Sequence, residues 1–124
     1  MLDGGPPPLT EEELRTRRYS ISDLAADLAQ PRSAAEQLAI GSRLYIELAD
    51  FTVRAAGGWT GTGKGLAKAL LRLNPMLASA FEHAFAELFG DQDPAEVLAL
   101  VDLCLEPYGG RFMAGDRRPA PADW

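Results

Sequence analysis

The stretch from Ala34 to Ala56 most constrains what this chain can become. Ser33-Ala34-Ala35-Glu36 opens it with a capping box, in which the serine accepts from a backbone N–H and the glutamate reaches back to the cap. Leu38, Tyr45, Leu48, Ala49, Thr52 and Ala56 then fall on one face at helical spacing. Leu44, Ile46, Phe51 and Val53 widen that face. A helix over about 34–56 that is apolar on most sides must be surrounded, so the spacing predicts a bundle with this helix at its centre. Gly41 inside it allows another helix to approach closely. Arg43, Glu47, Asp50 and Arg54 occupy the remaining polar side and are expected to pair with one another, at about 0.2–0.5 kcal/mol a pair.

The other segments carry the same kind of punctuation. Thr10-Glu11-Glu12-Glu13 is a second capping box, and its helix runs towards Arg15, Arg17 and Arg18. That basic trio reads as a solvated helix end, with phosphate contact as the alternative. Ser20 or Ser22 is expected to start a short second helix to Gln30, with Ile21, Leu24 and Leu28 inward and Pro31 as its stop. A helix from Lys64 to Leu73 turns Leu66, Leu70 and Leu73 inward and Lys68 and Arg72 outward. Asn74-Pro75 starts the next one, which runs to about Phe89 before Gly90 ends it. Asp93-Pro94 repeats that signal for a last helix carrying Val97, Leu98, Val101, Cys104 and Leu105 as far as Pro107. Residues 108–118 lack helical period, and Phe112 and Met113 are expected to anchor them. The sum is an all-α fold, a single-domain bundle of five or six helices with short Gly/Pro-containing loops. Its boundaries are a flexible lead-in over 1–9, the helical domain over 10–118 and a loose tail over 119–124.

Composition narrows the function classes. The 124 residues are enough for one domain with a real core, and 47% of them are apolar. A net charge of −6 argues against general nucleic-acid binding, which draws its affinity from Lys and Arg. Cys104 is the single cysteine and packs within an apolar pattern, so no internal disulfide forms and a reducing cytoplasm is expected. The N-terminus lacks the pattern of a secretory signal, and no apolar run approaches the roughly 20 residues of a membrane span.

Gly57-Gly58-Trp59-Thr60-Gly61-Thr62-Gly63-Lys64-Gly65 joins two helical patterns and, from Gly58, spells all but the last letter of a P-loop. That letter should be a Ser or Thr holding Mg²⁺, and here it is Gly65. A P-loop also follows a buried strand, whereas helical spacing precedes this corner. The plainer reading is a glycine-rich helix junction; a middle reading makes the N–H groups of Gly63 to Gly65, with Lys64, an anion site. His83 is the only histidine, on a surface-facing turn, which leaves no zinc set and no evident nucleophile for a triad. Gly41-Ser42 followed by Asp50 imitates a polymerase-like nucleotidyltransferase signature, but Phe51 and Thr52 stand where the second carboxylate belongs.

Three stretches together carry a family likeness. They are Leu9-Thr10-Glu11-Glu12-Glu13 through Arg17-Arg18-Tyr19 to Asp23-Leu24, the Gly58 to Lys64 corner, and Leu105-Glu106-Pro107-Tyr108-Gly109-Gly110-Arg111-Phe112 with Gly115 behind it. Their order resembles the C-terminal helical domain of bacterial nucleotidyltransferase-domain proteins, relatives of the aminoglycoside (kanamycin) nucleotidyltransferases, over about residues 9–118. The chain departs from that pattern at Gly65, where the family has an aromatic residue, and in lacking the catalytic domain. The resemblance implies no catalytic residue and no metal ligand in this chain. Mg²⁺ and a nucleoside triphosphate would be held by a catalytic domain or subunit as partner. Trp59, Gly63 and Lys64 would line or support the substrate cleft, and Gly109, Gly110 and Arg111 would shape its closing loop. Trp59 reads equally well as a core anchor of the corner. An acidic chain suits a cationic acceptor, with Asp50 and Glu47 facing it and Lys64 and Arg111 meeting anionic groups.

The rival reading is a helical interaction module or homodimer with no small ligand. A cleft beside Trp59 and Lys64 favours the first reading; an exposed apolar face away from the corner favours the second.

Overall fold

A computed structural model describes residues 6–30 and 33–112. It contains five α-helices: α1 (Glu11–Ala29), α2 (Ala34–Ala55), α3 (Lys64–Leu73), α4 (Pro75–Asp91) and α5 (Ala95–Leu105). A 3₁₀ turn over Glu106–Tyr108 follows, and no strand occurs among the described residues. The expected all-α bundle is what forms. The expected roles of Pro31 and Met113, Gly115 in the resemblance, and the tail over 119–124 lie outside the described residues.

Four of the five helices begin beside a side chain that accepts from their first turn, and α3 begins at Gly63 without one. Glu13 N–H donates to Thr10 Oγ1 at 3.0 Å while Thr10 N–H donates to Glu13 Oε1 at 2.9 Å. The same reciprocal pair joins Ser33 and Glu36. Asn74 Oδ1 accepts from the N–H groups of Met76 and Leu77, with Pro75 in the first turn, where a missing donor costs nothing. Asp93 Oδ1 accepts from Ala95 N–H.

α2 touches all four other helices, which is the central place its sequence predicts. Phe51, Leu44 and Leu48 on it are fully buried, against Ile21 and Leu28 of α1, Phe81 and Leu88 of α4 and Val101 of α5 in one continuous core. Burying each such side chain contributes about 1.5–3 kcal/mol. Tyr45 sets its ring edge-on to Phe81 and Phe85, with centroids 6.1 and 5.2 Å away. Gly41 does admit α4: a Cβ there would lie 2.6 Å from Leu88 Cδ2 and 3.0 Å from Phe89 Cε1.

Several expectations need correction. Residues 11–29 form one helix, not two, because Leu14, Ile21, Ala25 and Leu28 continue a single apolar register through both serines. Ser20 and Ser22 do not cap; their hydroxyls make tertiary hydrogen bonds to Glu47 and Phe112. Leu38 and Ile46 lie at the edges of the α2 face and are 56% and 58% exposed, and Ala56 and Leu73 are exposed as well. α4 passes through Gly90 to Asp91, and Gln92 takes the left-handed turn instead.

Candidate functional site

α1 and α2 pack side by side, and the glycine corner folds back over their junction. The corner begins with a Schellman turn: Gly57 takes φ 89° and donates to Arg54 O, while Gly58 N–H donates to Val53 O. Gly63 then takes φ 53° at the cap of α3. This return path places Gly61 and Thr62 opposite Arg17, Ser20, Glu47 and Asp50, enclosing a groove of about 370 Å³. Ile21, Ile46 and Leu66 supply its apolar wall.

The polar groups of the groove are already organised. Arg17 Nη1 donates to Asp50 Oδ2 at 2.5 Å, linking the two helices. Glu47 uses both oxygens: Oε1 accepts from Ser20 Oγ at 2.7 Å and Oε2 from Arg43 Nε at 2.6 Å. A shallower recess continues along α1 through Thr16 and Arg17 to Thr10, Glu12 and Glu13. The Thr10 backbone N–H, ahead of smaller contributions from the Thr10 hydroxyl, Arg17 and Arg54, holds the Glu13 carboxyl below its ordinary value. The whole channel is thus carboxylate- and hydroxyl-rich, with arginines steadying the carboxylates.

The expected Arg43–Glu47–Asp50–Arg54 ladder forms only in its first step. Asp50 turns to Arg17, and Arg54 Nη2 donates to the Pro7 carbonyl. Both departures share a cause: α1 and the lead-in pack on that side of α2 and offer partners that sequence spacing within one helix does not reveal. Arg17 and Arg18 are likewise not a solvated helix end, since both make tertiary contacts.

The other expected site residues are dispersed. Trp59 is 51% exposed and lines neither this groove nor the core, which removes the core-anchor reading. Gly63 and Lys64 stand at the exposed start of α3, just beyond the groove. Gly65 N–H donates to Thr62 O at 2.8 Å, so it is occupied within the corner. α2, not a strand, precedes the corner, so the P-loop context is missing. Gly109 and Gly110 take φ 112° and 79° and are fastened elsewhere on α1: Gly110 O accepts from Arg18 Nε and Nη2 at 3.1 and 2.9 Å. Arg111 is held by Asp102 through two hydrogen bonds of 2.7 and 3.3 Å. The structure therefore brings Glu47 and Asp50 to the corner and keeps Gly109, Gly110 and Arg111 apart from that groove.

Arg17, Ser20, Thr16 and Thr62 are groove residues that sequence reasoning overlooked. One signal was present: Glu13, Thr16, Arg17 and Ser20 make a polar stripe at i, i+3, i+4, i+7 that borders the apolar face of Leu14, Ile21 and Leu28. Among the described residues no group of three His, Cys, Asp or Glu side chains is placed to hold a metal ion. No helix among them is long and apolar enough to cross a membrane.

The fold and groove define a class: an all-α bundle with a polar, carboxylate-bearing groove at a helix junction. No protein-family model, curated protein or solved structure matches the chain, so its own geometry carries the functional argument.

Proposed function

We propose that the chain is an accessory, substrate-binding helical domain of a nucleotidyltransferase, positioning a polar acceptor for a catalytic domain or subunit. The observation that supports this reading is the groove itself, where Asp50, Glu47, Ser20 and Thr62 converge from two helices and the corner. Such a set suits a ligand bearing both amines and hydroxyls, of the aminoglycoside kind. A ligand ammonium would take the place of Arg17 on Asp50, and ligand hydroxyls would meet Ser20 and Thr62. Holding an acceptor hydroxyl in line for attack is a positioning role, which lowers the entropic part of the barrier. Mg²⁺ and the nucleoside triphosphate belong to the catalytic partner in this reading.

The test is titration of the isolated chain with kanamycin, alone and with ATP–Mg²⁺, followed by thermal unfolding. Ligand at 100 times its dissociation constant should stabilise by about 2.7 kcal/mol, a shift of several degrees. The shift should vanish in Asp50→Asn and persist in Lys64→Ala. A flat response to kanamycin in the wild-type chain overturns the acceptor-groove reading. A shift with ATP–Mg²⁺ alone that is lost in Lys64→Ala would move the site to the start of α3.

A second reading has support on a different surface. A groove of about 400 Å³ between α3 and α4 is walled by Tyr45, Leu70, Leu71 and Phe81 and suits a protein partner better than a small polar ligand.

A further inference from the structure

The α3–α4 groove has two properties that together specify an occupant. The first is its exposed apolar wall. Leu71 is 55% exposed, and Tyr45 and Phe81 lie beneath it, with the small side chains Ala67, Ala78 and Ser79 around them. Small residues there let a facing backbone come close to the aromatic floor.

The second is the way charge is divided across the groove. Lys64, Ala67, Lys68 and Leu71 share one side of α3 by i, i+3, i+4 and i+7 spacing, and α3 carries no acidic residue. Pro75, Ala78, Ser79 and Glu82 share one side of α4, with Glu82 as its charged group; His83, Glu87 and Asp91 follow a different side at i, i+4 and i+8. One bank therefore carries two lysines and the other a single carboxylate, Glu82. Among the described residues Lys64, Lys68 and Glu82 make no ion pair, whereas Arg17, Arg43 and Arg111 each have a carboxylate.

We infer that this face binds a second copy of the chain across a two-fold axis running parallel to α3 and α4. Rotation about that axis lays the partner's α3 over α4 and the partner's α4 over α3. The lysines of each copy then face the Glu82 bank of the other, and the two Leu71 walls close over the aromatic floors. An axis perpendicular to the helices would instead set α3 on α3, with lysines against lysines, so the charge pattern selects the first arrangement. This is an isologous contact, self-complementary in both shape and charge. It uses a surface separate from the carboxylate groove, so either proposal can fail alone.

The test is sedimentation equilibrium of the full chain between about 1 µM and about 1 mM, the range of weak to moderate complexes. A concentration-dependent dimer is expected, weakened at least tenfold by Leu71→Glu. The decisive measurement is a charge swap. Lys64→Glu/Lys68→Glu in one copy and Glu82→Lys in another should each weaken self-association, and an equimolar mixture should form mainly the heterodimer by native mass spectrometry. Because all four substituted side chains lie on the surface, circular dichroism should show unchanged helix content. A monomer throughout the concentration range overturns the inference. So does a dimer indifferent to Leu71→Glu, or a mixture without preference for the heterodimer.

Discussion

Arg17 on α1 and Asp50 on α2 form an ion pair that spans the mouth of the polar groove, 33 residues apart in sequence. Both side chains are about a third exposed, at 36% and 27%, so water weakens the attraction. A double-mutant cycle over Arg17→Ala and Asp50→Ala should give a coupling of about 0.5–1 kcal/mol, falling as salt is raised. Urea unfolding of the four proteins measures it. If ligand binding displaces Arg17, as the acceptor reading requires, Arg17→Ala should leave kanamycin affinity unchanged or raised while Asp50→Ala abolishes it.

The second arginine of that pair of neighbours does different work. Arg18 donates twice to Gly110 O, lies 4.4 Å above the Phe112 ring and crowds Gly109, where a Cβ would meet Nη2 at 2.8 Å. Burial, then the charge of Arg15, lowers the Arg18 pKa without changing its charge at neutral pH. Arg18→Ala should cost about 1.5–3 kcal/mol, because hydrogen bonds to a charged group and a cation–π contact are lost together. Arg18→Lys should recover little, since an ammonium cannot present the same fork to one carbonyl. Thermal unfolding compares the two.

How much of this was legible in the sequence follows from where each signal lives. Caps are local, so Thr10, Ser33 and Asn74 could be read from neighbours three residues away, and the helices start there. The core of α2 was legible because so many of its positions are apolar that the buried side needs no tertiary knowledge. Ser20 and Ser22 were misread as a helix start because cap propensity and tertiary hydrogen bonding use the same hydroxyl. The groove was half visible: Glu47 and Asp50 were picked out, but Arg17 and Thr62 reach them only through packing of α1 and return of the corner. Trp59 shows the limit of composition, since a large aromatic ring among glycines suggested either a cleft or a core role and stands half exposed outside both the core and the polar groove.

Two glycines inside helices should respond oppositely to alanine. At Gly41 the new methyl would press on Leu88 and Phe89, and wholly buried Leu88 is hemmed in by packed neighbours. The overpacking cost of about 1–3 kcal/mol should exceed the helix-propensity gain. At Gly90 a Cβ meets nothing within 4 Å. Gly90→Ala should therefore stabilise by about 0.5–1 kcal/mol, the difference in backbone entropy between the two residues. Urea unfolding of both variants separates close helix contact from mere flexibility; a stabilised Gly41→Ala would refute the tight α2–α4 approach.

Alkaline pH should loosen the bundle through two groups that burial keeps neutral. Burial raises the Cys104 thiol from its ordinary 9.0, opposed by a smaller contribution from Thr52, and burial raises Tyr45 from its ordinary 10.0. Both ionise to anions, so the folded state retains protons that the unfolded state has released. The associated stability is fully present below the unfolded values and is lost as pH rises through the folded ones. Urea midpoints should accordingly hold steady towards pH 9 and decline above it, and Cys104→Ser should remove part of that slope. The same burial predicts slow reaction of the native thiol with an aromatic disulfide reagent at neutral pH and rapid reaction once urea unfolds the chain. Fast labelling of the native protein would mean that the contact between α5 and α2 opens readily, and Thr52→Ala could then be used to ask whether its hydroxyl holds that contact shut.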